Sequence, residues 1–182
     1  SILSGVTSLI MILPTFLDLK THGEKLTSVD RLFTEKTWFL DIFAKNFIGS
    51  FDTTKYGSIP MIYVGIVPLL LAILFFTLKS IKFHVKLSYF FLIIIFVASF
   101  SLERLDLFWQ GMHAPNMFLH RYSWLFSLLV IFLAAESLQR LKQIKFKNLI
   151  ISFTILSIGF ILVFIFRKHY DFLGPVNFIL TL

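Results

Sequence analysis

The sequence predicts an all-α fold: a polytopic transmembrane helical bundle with an interfacial amphipathic helix in its first extracytoplasmic loop. Three observations carry that expectation. Apolar residues arrive in long blocks, several of them near the roughly 20 positions a helix needs to cross the hydrocarbon core. Hydrophobic residues make up 57% of the 182-residue chain and charged residues only 15%, against about 45–50% and about 25% in soluble domains. The net charge of +7 is confined to two short loops, one with Lys79, Lys82 and Lys86, the other with Arg140, Lys142, Lys145 and Lys147. The other basic residues cancel the acids. That placement follows the positive-inside rule and argues against a nucleic-acid partner, which would need a clustered basic face. The lipid bilayer is the first expected partner, and the 24 phenylalanines suit a lipid-facing surface. The absence of cysteine excludes a disulfide framework and a thiolate metal site.

Taken in order, residues 1–17 form a first span containing Gly5 and Pro14, with Asp18 and Lys20 at its exit. The chain starts at Ser1 and ends inside an apolar run, which reads as an internal fragment of a longer protein. Residues 19–56 form a long connection. Thr27, Ser28 and Asp30 look like a helix start, and Val29, Phe33, Leu40, Phe43 and Phe47 then recur at roughly helical spacing. This is the expected interfacial helix, with Trp38 near headgroup level. A helix packed on a soluble domain gives the same pattern.

The second span is 58–78, with a kink expected at Pro68. The third, 87–102, is short unless it draws on Phe83 and Val85. The fourth is 122–138, in which Glu136 precedes Arg140 by one helical turn, the favourable order for an ion pair. The fifth is 149–166, and a sixth begins at 172–182. The basic loops 79–86 and 139–148 are separated by two spans, so they share a side, which the charge rule makes cytoplasmic. The first long connection, the loop 103–121 and the polar turn 167–171 then face outward.

The segment between the third and fourth spans is chemically unlike the rest. It holds His113, Asn116, His120, Arg121 and Tyr122. Pro115 disfavours helix at Ala114, so the fourth helix is expected to start near Asn116 or Phe118, with Asn116 as N-cap and His120 and Arg121 in the first turn. Arg121 presents a fork of donors matched to phosphate or carboxylate. It reads equally as a phosphate clamp and as a snorkelling anchor. His113 and His120 stand seven apart with a proline between them, which is no standard metal spacing. They read as hydrogen-bonding groups or general bases. Glu103, Arg104 and Asp106 precede the segment and end the third span, with acid–base chemistry as the alternative. Tyr122 and Trp124 fit an aromatic belt. The chain contains no P-loop, Rossmann glycine pattern, Gly-x-Ser-x-Gly or His-Glu-x-x-His motif.

The run Gly111-Met112-His113-Ala114-Pro115-Asn116-Met117-Phe118-Leu119-His120-Arg121-Tyr122 resembles a segment of the bacterial YfhO family of large multispan membrane proteins. Ser4-Gly5-Val6 with Leu13-Pro14-Thr15, and Phe47-Ile48-Gly49-Ser50 leading to Pro60 and Tyr63-Val64-Gly65, are similar to other parts of that family. The resemblance implies a membrane glycosyltransferase of the GT-C type. Such an enzyme transfers a sugar from a polyprenyl-phosphate carrier to a cell-envelope polymer acceptor, such as teichoic or lipoteichoic acid, on the outer face. The implied substrate-binding residues are Arg121, His113, His120, Asn116 and Tyr122. The family's acidic segment followed by Gln-Tyr is not visible, so the catalytic carboxylate is expected outside this chain. No cofactor is specified, and a divalent metal stays open. Two other readings are a lipid-linked sugar flippase or transporter and a non-catalytic membrane module.

Overall fold

The computed structural model describes residues 13–14, 17, 32–34, 37–50, 59–112 and 120–181. Among these residues the regular structure is helical: α1 (Asp41–Ala44), α2 (Ile66–Thr77), α3 (Phe83–Ser101), α4 (Glu103–Trp109), α5 (Ser123–Gln139), α6 (Phe146–Ile165) and α7 (Pro175–Thr181). Short 3-10 turns at Leu141–Gln143 and Arg167–His169 follow α5 and α6. One isolated antiparallel bridge pairs Phe33 with Leu102. Of the span expected at 1–17, only positions 13, 14 and 17 are described, and all three are helical.

Helices α3 and α6, of 19 and 20 residues, are long and apolar enough to cross a membrane. At 1.5 Å per residue each is about 30 Å long, the thickness of the hydrocarbon core. Both keep large apolar side chains on the outside, among them Phe91 and Ile95 on α3 and Phe153, Ile158 and Ile161 on α6. A water-soluble surface does not tolerate contiguous apolar faces of this size. Helix α3 starts at Phe83, so the third span does draw on Phe83 and Val85. Helices α5 and α6 fall within a few residues of the segments expected as the fourth and fifth spans, and of these two α6 is long and apolar enough to cross a membrane.

The second span departs from expectation. The interval 58–78 is expected to be one kinked helix, but its helix covers Ile66–Thr77, and residues 59–65 carry no regular secondary structure. Pro68 therefore sits in a first turn, where a missing N–H costs little, and causes no mid-helix kink. Gly65 makes the junction at φ 87°, a conformation open to glycine. Backbone outside a helix needs other hydrogen-bond partners, and Asn46 supplies two of them. Its Oδ1 accepts the N–H groups of Val64 (2.9 Å) and Gly65 (3.1 Å), and its Nδ2 donates to the Ile42 carbonyl at 2.6 Å. Ser123 Oγ donates to the Met61 carbonyl at 3.1 Å.

The interfacial helix also takes another form. Helix α1 is a single turn of 4 residues, and Phe33 lies in the bridge to Leu102 instead of on a continuous apolar stripe. Leu40, Ala44 and Phe47 are buried in the bundle. The Phe47 ring meets Phe160 edge-on at 4.8 Å and Phe178 at 5.1 Å. Two polar side chains end the helical path: Asp41 folds back onto the Trp38 N–H, and Asn46 leaves for the 59–65 segment. Gly159 on α6 opens the notch that receives the Phe43 ring.

Helix α2 is the centre of the bundle, packed between α5 and α6. Ile62, Leu74, Phe75, Leu133 and Val163 are buried around it. Helix α3 closes one side through Phe75–Tyr89 and Phe96–Phe126 edge contacts. At the end carrying the basic loops, Glu136 pairs with Arg140 as the spacing predicts, and Lys86 Nζ donates to the Phe76 carbonyl at 2.8 Å.

Candidate functional site

Three connections meet at the opposite end. The Thr34 N–H donates to the Ser101 carbonyl at 3.0 Å, and the Glu103 N–H donates to the Leu32 carbonyl at 3.3 Å, tying the first long connection to the α3–α4 junction. The Tyr170 hydroxyl, just beyond α6, donates to Asp41. Two buried carboxylates organise this end.

The first is Asp106. The sequence reading placed residues 103–121 in one loop, but Glu103–Trp109 folds as α4. Glu103 and Asp106 sit in its first turn, where the helix dipole favours acids. The helix ends in a Schellman motif: the Gly111 N–H bonds to the Phe108 carbonyl, and the Met112 N–H to the Leu107 carbonyl, with Gly111 at φ 68°. Asp106 Oδ2 accepts Gln110 Nε2 at 2.8 Å. Asp106 Oδ1 lies 2.8 Å from His120 Nδ1 and 2.9 Å from the Tyr122 hydroxyl. With Asp106 ionised, His120 Nδ1 carries the hydrogen. Tyr122 shares its proton with the Ser99 carbonyl at 2.7 Å. Its ring is stacked between Trp109 (5.2 Å) and Phe100 (5.4 Å).

The second is Asp41, 4% exposed. Its Oδ2 accepts the Trp38 N–H at 2.7 Å and its Oδ1 accepts the Tyr170 hydroxyl at 2.9 Å. Burial pushes its pKa up to about 6, against the opposing pull of the Trp38 and Tyr170 hydrogen bonds and of His169 and His120. The Tyr170 phenol is pushed up from its ordinary value by burial, and further by the Asp41 charge. Next to this pair, Trp38, Phe166, Lys168 and His169 line an open groove of about 380 Å³.

The expected site residues separate into groups. His120 and Tyr122, 2% and 6% exposed, turn inward to Asp106. Arg121, between them, is exposed. His113 and Asn116 lie outside the described residues. The expected helix start at Asn116 or Phe118 is displaced: α5 begins at Ser123, and His120 and Arg121 precede it in a turn. His120 takes φ 54°, a left-handed conformation that costs a non-glycine residue about 1 kcal/mol or more and is held by its bond to Asp106. Sequence reasoning passed over Asp41 and Tyr170, and treated Asp106 as a span terminator. The available signal was an acid set among aromatic and aliphatic neighbours, as in Trp38-Phe39-Leu40-Asp41-Ile42-Phe43. Among the described residues no three His, Asp or Glu side chains cluster as a metal site.

Two helices of membrane-crossing length with exposed apolar faces fit a helical membrane protein. The chain belongs to the family of the bacterial membrane protein YfhO, whose family model matches residues 1–182. No curated protein matches it, and no solved structure does.

Proposed function

We propose that this chain is part of a GT-C-type membrane glycosyltransferase that moves a sugar from a polyprenyl-phosphate carrier to a cell-envelope polymer, such as teichoic or lipoteichoic acid. The Asp106 and Asp41 networks sit at the outer face, and the loops 79–86 and 139–148 are cytoplasmic. The observation that carries the reading is the setting of Arg121. The residues on either side of it are buried and bonded to the same carboxylate oxygen of Asp106. The backbone of this exposed residue is therefore held, which fixes the base from which a bidentate phosphate contact would be made.

In this reading Arg121 holds the carrier phosphate, and His120 and Tyr122 position it. The family resemblance adds His113 and Asn116 as candidate phosphate contacts. Transfer is inverting. A carboxylate base from outside this chain takes the proton of the acceptor hydroxyl as that oxygen bonds to the sugar anomeric carbon. The bond from that carbon to the carrier phosphate breaks, and the phosphate leaves with the electron pair. Arg121 offsets the charge developing on the leaving phosphate.

The test is sugar transfer by the full-length enzyme carrying Arg121→Ala or Arg121→Lys. Alanine is expected to lower kcat by about 100-fold or more, as for other donors to a developing oxyanion, with partial recovery in the lysine variant. Unchanged transfer by Arg121→Ala overturns the clamp. Cysteines introduced at Gly49 and Lys145 test the orientation, since labelling of both from one side contradicts it.

A further inference from the structure

The end of the bundle away from the Asp106 network carries a cleft of about 630 Å³ between the loop after α2 and the start of α6. Lys79, Lys145 and Lys147 line it together with Ser80 and Asn148, and its aliphatic wall is Ile151. Neither basic loop, 79–86 or 139–148, contains an Asp or Glu, and Glu136, the acid just before the second loop, is paired with Arg140. The cleft floor is built: Asn148 Nδ2 donates to the Thr77 carbonyl at 3.3 Å, fastening the first turn of α6 to the end of α2.

Lys147 and Ile151 are one helical step apart on α6, and Ile155 and Ile158 continue the same face. All three isoleucines are exposed, at 39%, 44% and 52%. The cleft thus places three ammonium groups at the head of an uncovered apolar stripe about two turns long. Its lining contains no aromatic ring on which a base could stack.

We propose that this cleft binds the phosphate headgroup of an anionic phospholipid of the surrounding leaflet, with one acyl chain lying along Ile151, Ile155 and Ile158. The charge is complementary to a phosphodiester, and basic pockets between membrane helices select such headgroups. The stripe supplies the contact that distinguishes a lipid from a soluble anion. The site is independent of the transferase reading, because it lies at the other end of the bundle.

Binding is measured on the purified full-length protein in neutral detergent, with phosphatidylglycerol, phosphatidylcholine, glycerophosphoglycerol (the same headgroup without acyl chains) and inorganic phosphate as separate probes. Phosphatidylglycerol is expected to bind about tenfold or more tightly than each of the others. The triple variant Lys79→Gln/Lys145→Gln/Lys147→Gln should lose about 100-fold in phosphatidylglycerol affinity, near fivefold per lysine, and Lys147→Gln alone about fivefold. Changing the same three positions to Arg should preserve binding. The single variant removes one exposed side chain, so it reads the site even where the triple variant does not fold. Affinity unchanged in Lys147→Gln overturns the proposal. So does phosphatidylcholine binding equal to phosphatidylglycerol, or glycerophosphoglycerol or phosphate binding as tightly as the lipid.

Discussion

Asp41 Oδ1 accepts the Tyr170 hydroxyl at 2.9 Å, joining residues 129 positions apart in the chain. The bond pins the first long connection to the turn after α6 and is buried from both sides. Together with the Trp38 N–H bond to Asp41 Oδ2 and the Asp41 N–H bond to the Trp38 carbonyl, it fixes the N-terminal end of α1 and leaves an ionisable carboxyl inside a largely apolar seam.

That group makes stability depend on pH. The folded pKa of Asp41 is raised from 3.8 to about 6. The folded state therefore holds the proton more tightly than the unfolded chain does. The corresponding stabilisation is fully present below about pH 4 and is lost as pH rises through about 6, a swing on the order of 3 kcal/mol. The thermal midpoint of the full-length protein in detergent should fall between pH 4 and pH 7, and Asp41→Asn should flatten that fall. An equally steep fall in the variant would assign it to another group.

Tyr170→Phe removes the donor while keeping the ring, which packs edge-on to Phe172 and His169. At pH 8 the lost bond is to a carboxylate, and the expected cost is about 1.5–3 kcal/mol. At pH 5 it is a bond to the neutral acid, and the cost should drop to about 1 kcal/mol. Denaturant unfolding at the two pH values measures both, and equal costs would contradict titration of Asp41 in that window.

Asp106→Ala leaves His120 Nδ1, the Tyr122 hydroxyl and Gln110 Nε2 without their shared acceptor. We expect a loss of about 3 kcal/mol or more and release of His120 from its left-handed conformation. Because Trp109 stacks on Tyr122 and donates to Ser99 Oγ at 3.1 Å, its fluorescence should shift with the disturbance. An unchanged spectrum together with unchanged stability would show that the network does not hold this end.

Asn46→Ala removes the side-chain acceptor of the Val64 and Gly65 N–H groups and leaves both unpaired. A cost of about 2–4 kcal/mol is expected, one to three per orphaned donor. Hydrogen exchange should speed up first at Val64 and Gly65, while protection inside α6 persists.

Gly159→Ala places a methyl group against the Phe43 ring. The ring is already packed edge-on to Phe160 at 6.2 Å, so α1 must shift away from α6 at a cost of about 1–3 kcal/mol. Shortening the ring by Phe43→Leu in the same chain should recover part of the loss, and its failure to do so would place the strain elsewhere.

The sequence alone determined the membrane character, the positions of α3, α5 and α6 to within about four residues, and the Glu136–Arg140 pair. Each depends on local composition and spacing: a run of apolar residues near 20 long has few ways to satisfy its backbone away from water other than as a helix. Family membership was legible too, in the Pro115-Asn116 and Arg121-Tyr122 pattern. The sequence did not reveal that residues 59–65 are not helical, because that conformation depends on Asn46, a side chain well upstream whose amide replaces some of the missing helical bonds. Nor did it reveal that the apolar positions around Asp41 are buried in the bundle instead of lying on a membrane surface. Helical periodicity reports which residues share a face, not what covers that face. The pairing of Asp106 with His120 and Tyr122, and of Asp41 with Tyr170, was decided only by the tertiary structure. A buried carboxylate is tolerable only when distant donors converge on it, and that convergence comes from how the chain is packed.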